Sequence, residues 1–165
     1  MNVVKLMSID PACHQAHETL ADAARDMWDC DCGCIPVVDN EQRVIGMITD
    51  RDICMAALFK GRPIQEISIG DVMSRVAITC RSDDTIQEAE RIMREARVRR
   101  LPVTDETDRL IGVISLNDIA LEAESERSSR TPQVTLNDVA LTLSAVCHQR
   151  ATSNGSLARF EDLTP

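Results

Sequence analysis

Two segments hold the side chains best placed to do chemistry: Gly46-Met-Ile-Thr-Asp-Arg-Asp-Ile53 and Gly112-Val-Ile-Ser-Leu-Asn-Asp-Ile119. Both read glycine, two hydrophobic residues, a hydroxyl residue, two variable residues, aspartate, isoleucine. A strand that ends at Ile48 or Ile114 and turns into a helix presents free backbone N–H groups at the helix start. On that first turn Asp52 or Asp118 can accept hydrogen bonds from both vicinal hydroxyls of a ribose, while Thr49 or Ser115 reaches the same sugar or an adjacent phosphate. The same spacing is also a capping box, with the hydroxyl residue as N-cap and the aspartate at the third helical position. The roles are compatible, and recurrence in two matched segments favours a ligand role for at least one. Phosphates need cations, and Arg51 lies inside the first motif where the second has Asn117.

A third cluster is Cys30-Asp-Cys-Gly-Cys34, with Cys13, His14 and His17 earlier in the chain. These are soft ligands of the kind zinc takes, or thiols for a redox response. The spacing departs from the usual Cys-x-x-Cys knuckle, so ordinary reduced cysteines are expected, with a metal site at Cys30, Cys32 and Cys34 or a thiol sensor as the alternative. Seven cysteines, an odd number, argue against a disulfide framework.

The elements that position these residues come from an internal repeat. Shifted by 66 residues the chain matches itself without a gap: Met7-Ser8 on Met73-Ser74, Thr19 on Thr85, Pro36-Val37 on Pro102-Val103, Ile45-Gly46 on Ile111-Gly112 and Asp52-Ile53 on Asp118-Ile119. Between residues 5–55 and 71–121 there are 15 identities in 51 positions, where chance gives about 3. The duplication is real. Each copy predicts a helix capped by Thr19 or Thr85, a strand at Ile35–Val38 or Leu101–Thr104, a polar turn, a strand at Val44–Ile48 or Leu110–Ile114, and a helix starting at Thr49 or Ser115. About 50 residues are too few to bury a core comfortably, so two units packed face to face about a pseudo-twofold axis are expected. Beyond a polar linker, Leu136, Val139, Ala140, Leu143, Val146 and Cys147 mark one apolar stripe of a further helix.

Taken with the Pro-Val strand and the Met-Ser at the head of each unit, the two motifs resemble the cystathionine-β-synthase (CBS) domain, as a Bateman-type pair. The resemblance covers residues of about 5–56 and 70–122. It implies a mixed α/β (α+β) fold of tandem β-α-β-β-α repeats plus a C-terminal helix. The first motif then spans 1–60, a connection 61–69, the second motif 70–124, a linker 125–134, the helix 135–149 and a flexible tail 150–165. It further implies a non-catalytic regulatory module binding an adenosine-containing ligand (AMP, ADP, ATP or S-adenosylmethionine) in clefts between the motifs. By the same resemblance Thr49, Asp52, Ser115 and Asp118 hold ribose. Cys34, Ile35, Pro36, Ile78, Leu101 and Pro102 meet adenine through backbone and apolar contacts. A basic pair before the Pro-Val strand, here Arg99-Arg100, joins Arg51 on phosphate; the first unit has Gly33-Cys34 instead, so the two sites are chemically unequal. A homodimer is expected, with no required cofactor and no zinc; a structural dimerisation adaptor is a further alternative.

Composition narrows the classes. Eighteen basic against twenty-seven acidic residues leave a net charge of −9, which argues against a nucleic-acid footprint. Aromatics are only Trp28, Phe59 and Phe160, so base-stacking platforms are lacking and Trp28 reads as packing or interface. No nucleophile motif accompanies the three histidines, which argues against an enzyme. No apolar run reaches the roughly 18 residues of a membrane span, and the start lacks a signal-peptide core, so a cytoplasmic protein is expected.

Overall fold

The structure, a computed structural model, describes residues 1–148. Its elements are β1 (Ser8–Ile9), β2 (His14–Gln15), α1 (Leu20–Asp29), β3 (Cys34–Val38), β4 (Val44–Thr49), α2 (Asp50–Lys60), β5 (Cys80–Arg81), α3 (Ile86–Ala96), β6 (Arg100–Thr104), β7 (Leu110–Ser115), α4 (Leu116–Ser125) and α5 (Leu136–Cys147). Each repeat is thus β-α-β-β-α, as the duplication predicts, and the C-terminal helix forms inside the expected range. Gln149 and the expected tail lie outside the described residues.

Two compact units form, and their limits do not follow the repeat. A C-terminal unit takes in Met1–Pro11, Glu41–Val44 and Ile78–His148; an N-terminal unit takes in Ala12–Asn40 and Ile45–Ala77. The segments that head the repeats are exchanged. In the C-terminal unit the sheet order is β1-β7-β6-β5, with β1 antiparallel to β7 (Ser8 opposite Val113) and β5 parallel to β6 (Cys80 opposite Val103). In the N-terminal unit the order is β2-β3-β4, and Ser74 stands in for the fourth strand through paired backbone bonds with Met47.

Close backbone approach explains the glycine that opens each chemical motif. A Cβ on Gly46 would collide with the Ser74 carbonyl oxygen, and one on Gly112 would lie 2.8 Å from the Ser8 carbonyl oxygen and 2.7 Å from the Met7 sulfur. Met-Ser at the head of one repeat therefore packs on the glycine of the other. Backbone conformation repeats too: left-handed residues occur at Asp31 and Arg97 and at Gln42 and Asp108, each pair 66 apart. The first pair follows the leading helix of each repeat, Arg97 as its C-cap and Asp31 one residue past the cap, and the second lies in the hairpin turn before β4 or β7.

The cores are aliphatic. Leu20, Ile35, Val37, Ile48, Ile67 and Ile69 are buried in the N-terminal unit, and Ile86, Met93, Leu101, Val103, Ile114 and Ile119 in the C-terminal one. Four consecutive residues of β3 and β6 and alternate residues of β4 and β7 are buried, and helices cover them to close each core. Helix α5 packs on α3 and α4. Its buried Thr142 hydroxyl accepts from the Arg94 guanidinium (2.8 Å) and donates to Glu90 (3.2 Å). The linker before it is tied down by Glu126, which accepts from the Gln133 and Val134 amides. Among the described residues no helix is long and apolar enough to cross a membrane.

Candidate functional site

The predicted strand-to-helix turns are built alike in both units. Thr49 closes β4 and Ser115 closes β7, and each is at once the N-cap of the helix that follows. Asp52 Oδ2 accepts from the Thr49 amide (3.0 Å) and hydroxyl (2.7 Å), and the Thr49 hydroxyl accepts in turn from the Asp52 amide. Asp118 Oδ2 does the same with Ser115 (2.8 and 2.7 Å). The capping reading is therefore realised in full at both motifs.

Spacing alone does not single these two out. Thr19 with Asp22 and Thr135 with Asp138 form the same reciprocal cap at α1 and α5. What distinguishes α2 and α4 is their entry directly from a strand. The first helical amide then reaches across to the segment before the Pro-Val strand: Asp50 N to Gly33 O (3.2 Å), and Leu116 N to Arg99 O (2.9 Å). In this way the hydroxyl, the carboxylate, the helix N-terminus and the backbone entering β3 or β6 are brought together, once in each unit.

The surroundings differ as the residue types predict. In the C-terminal unit Arg100 sits directly across the ladder from Ser115, half-buried, with Arg99 exposed beside it. In the N-terminal unit the counterparts are Gly33 and Cys34, and exposed Asp50 and Arg51 precede the aspartate where the other unit has buried Leu116 and exposed Asn117. Ile35, Pro36, Leu101 and Pro102 are all buried, Ile35 and Leu101 at 1% and 0% exposure within the cores. What they can offer a ligand is backbone, not an apolar side-chain surface. Half-buried Ile78 packs on the C-terminal core, and Cys34 is half-buried at the start of β3.

The cysteine cluster is spread over different environments. Cys30 is exposed just past α1, while Cys32 packs against the N-terminal core. Among the described residues no three His, Cys, Asp or Glu side chains form a group that could hold a metal ion. His14, considered above as a companion ligand, is instead buried between two carboxylates, its Nδ1 3.1 Å from Glu18 and its Nε2 3.0 Å from Asp26, the latter without hydrogen-bond alignment. Burial pushes the Glu18 carboxyl up, but the Gln15 amide and His14 outweigh it and leave the group below its ordinary range. His14 lies in β2 and Glu18 in the turn before α1, so no helical spacing announces this pair in the sequence. Burial, aided by Glu18, raises the Cys13 thiol, and burial with Asp84 pushes Cys80 up to about 12. Neither is a reactive thiolate at neutral pH.

Comparison with known proteins places this geometry. The family model for the CBS domain matches residues 3–58 and 69–124. Hypoxic response protein 1 of Mycobacterium tuberculosis (strain ATCC 25618 / H37Rv) is 35% identical over 115 residues, 70% of this chain and 80% of that protein. The uncharacterized protein MK0525 of Methanopyrus kandleri is 32% identical over 102 residues, 62% of this chain and 52% of its own, so the chain spans about half of that relative. Among solved structures, Hypoxic Response Protein I with two coordinated zinc ions superposes with a TM-score of 0.67 at 33% identity, covering 73% of this chain and 98% of that one. The CBS domain pair of MJ0100 with 5′-methylthioadenosine and S-adenosyl-L-methionine gives 0.68 at 23% identity over 76% and 98%, and CBSX2 with AMP gives 0.67 at 21% over 76% and 98%. Those two likenesses speak to the fold. The duplicated strand-to-helix turn and the family match agree: the chain belongs to the CBS domain family and carries two copies of the domain.

Proposed function

We propose that the chain is a non-catalytic regulatory module that reads an adenosine-containing metabolite and acts in the cytoplasm as a homodimer. The observation that carries this is the paired turn at Thr49–Asp52 and Ser115–Asp118. In each, the cap engages Oδ2, and a ribose hydroxyl would fall to Oδ1, beside helix amides suited to a phosphate or carboxylate. Backbone entering β3 or β6, at Cys34–Pro36 or Arg100–Pro102, supplies the adenine edge with donors and acceptors, with Ile78 beside it in the C-terminal unit. Ligands of this class in MJ0100 and CBSX2 support the reading.

The two sites differ in what they prefer. Arg99 and Arg100 suit the C-terminal site to a nucleotide with phosphates. In the N-terminal site Arg51 is offset by its neighbour Asp50, which favours a nucleoside or a sulfonium compound. Titration calorimetry with AMP, ADP, ATP and S-adenosylmethionine tests this. Binding of at least one with a micromolar Kd, and weaker ATP binding in Arg100→Ala, is the expected result. Absence of binding by all four at millimolar concentration overturns the assignment.

A further inference from the structure

The duplication exchanges apolar groups for ionic ones beside the leading helix. In the C-terminal unit Cys80 of β5 and Ile92 of α3 pack in the core, and Asp84, in the turn between them, accepts from the Arg81 amide. The matched residues of the N-terminal unit, 66 earlier, are His14 of β2, Asp26 of α1 and Glu18, which accepts from the Gln15 amide. The turn is the same in both units. What flanks it changes from thiol and isoleucine to imidazole and carboxylate.

His14 is 7% exposed, with Nδ1 3.1 Å from Glu18 Oε1 and Nε2 3.0 Å from Asp26 Oδ2. A neutral imidazole carries one N–H and one lone pair, so in either tautomer one ring nitrogen would turn a lone pair toward a carboxylate oxygen. Only the imidazolium is attracted to both. Buried Nε2 makes no hydrogen bond of its own, so charge is what makes its contact with Asp26 favourable. The surroundings are acidic or neutral. Cys13, His17 and Glu18 come from the same segment, and Asp22 and Asp26 from α1, while β3 places Val37 opposite. The segment 64–71 packed on α1 carries exposed Glu66 and Asp71, and α2 has charges only at its ends, in Asp50, Arg51, Asp52 and Lys60.

We infer that protonated His14 is a latch joining β2 to α1, through which the order of the N-terminal unit responds to pH. The C-terminal unit, with Cys80 in that position, does not share it. The inference is independent of the ligand. Histidine ordinarily changes charge near pH 6.5. Against burial, the Gln15 amide and His14 hold the Glu18 carboxyl low, so it is ionised on both sides of that change. When the ring gives its proton to water, one attraction is lost and a buried lone pair faces a carboxylate. Strand β2 is two residues long and lies at the edge of its sheet, so it is the element placed to let go.

Amide hydrogen exchange on the full chain tests the assignment, read as protection factors so that the intrinsic rise of exchange with pH is removed. Between pH 6 and pH 9 protection in β2 and α1 should fall about tenfold. Protection in β5 and α3 should hold, since the Cys80 thiol, pushed up to about 12 by burial and Asp84, stays neutral there. His14→Gln should show the lower protection at both pH values. Asp26→Asn, altered at a half-buried side chain, should lose most of the pH response, and it decides the matter if His14→Gln fails to fold by circular dichroism. His17→Gln, at the exposed neighbouring histidine, should keep the response. Wild-type protection in β2 and α1 that is the same at both pH values overturns the latch. So does a fall that persists in His14→Gln or Asp26→Asn, that disappears in His17→Gln, or that β5 and α3 share.

Discussion

Four helices share one reciprocal cap, at Asp22, Asp52, Asp118 and Asp138, and this supplies an internal control for the ligand assignment. Replacing any of the four by alanine removes two bonds to a carboxylate and its charge from the first helical turn. That costs about 0.5–1 kcal/mol of stability, a fall in Tm of about 1–3 °C. If the caps were structural only, the four variants would behave alike in every assay. If Asp52 and Asp118 also grip a ribose, each of those two loses in addition hydrogen bonds from a charged group, about 1.5–3 kcal/mol. The result is a Kd about 10- to 150-fold weaker at its own site. Calorimetry with whichever adenosine compound binds the wild type reads the difference. The asparagine variants keep an acceptor at the cap, so they should recover most of the Tm loss while still weakening binding. Equal affinity across all four alanine variants, or weakening by Asp22→Ala as large as by Asp52→Ala, would refute the reasoning.

Other consequences are open to direct measurement. Gly46→Ala drives a Cβ into the Ser74 carbonyl, so urea unfolding should show a loss of about 1–3 kcal/mol; Gly112→Ala should lose less, since its Cβ meets the Ser8 carbonyl less closely, at 2.8 Å, and the Met7 side chain can yield. Burial raises the Glu90 carboxyl above 4.5, against the Thr142 hydrogen bond. Stability tied to its proton is full below about pH 4.5 and lost as pH rises through the raised value, so Glu90→Gln should raise Tm by roughly 1–3 °C at pH 7 and lose that advantage near pH 4. Glu18 has the opposite sign: its contribution is present above about pH 4.5 and lost as pH falls through its lowered value. Glu18→Gln should therefore lower Tm at pH 7 and converge with wild type in acid. In native protein at pH 8, maleimide should label exposed Cys30 and Cys147 within minutes and leave Cys80 unmodified until urea is added.

Much of the architecture was legible because the repeat writes it twice. Identical residues at the caps, the Pro-Val strand and the glycine of each motif mark positions where a side chain or its absence meets backbone. The strands and helices accordingly fall within a residue or two of where the pattern placed them. The exchange of leading segments was not legible, for a physical reason. Met7-Ser8 and Met73-Ser74 are the same dipeptide, and Gly46 and Gly112 the same receptor, so pairing within a repeat and pairing across repeats look alike in residue types. Only the three-dimensional path, which puts Ser8 beside Val113 and Ser74 beside Met47, separates them.

The candidate site shows the complementary limit. A hydroxyl residue three positions before an aspartate reports a helix start, and it does so at Thr19 and Thr135 as faithfully as at Thr49 and Ser115. The chemical distinction lies in what precedes the hydroxyl: at Thr49 and Ser115 a strand runs straight into the helix and sets the carboxylate against the backbone entering β3 or β6. A shared frame makes the differences between the copies informative. Arg100 against Cys34, Asn117 against Arg51 and Arg94 against Trp28 occupy matched backbone positions, so each exchange changes what the surface can bind without changing how it is held. Under the proposed assignment the first two divide ligand preference between the units; at the third, Arg94 bonds Thr142 of α5 while Trp28 stands exposed on α1.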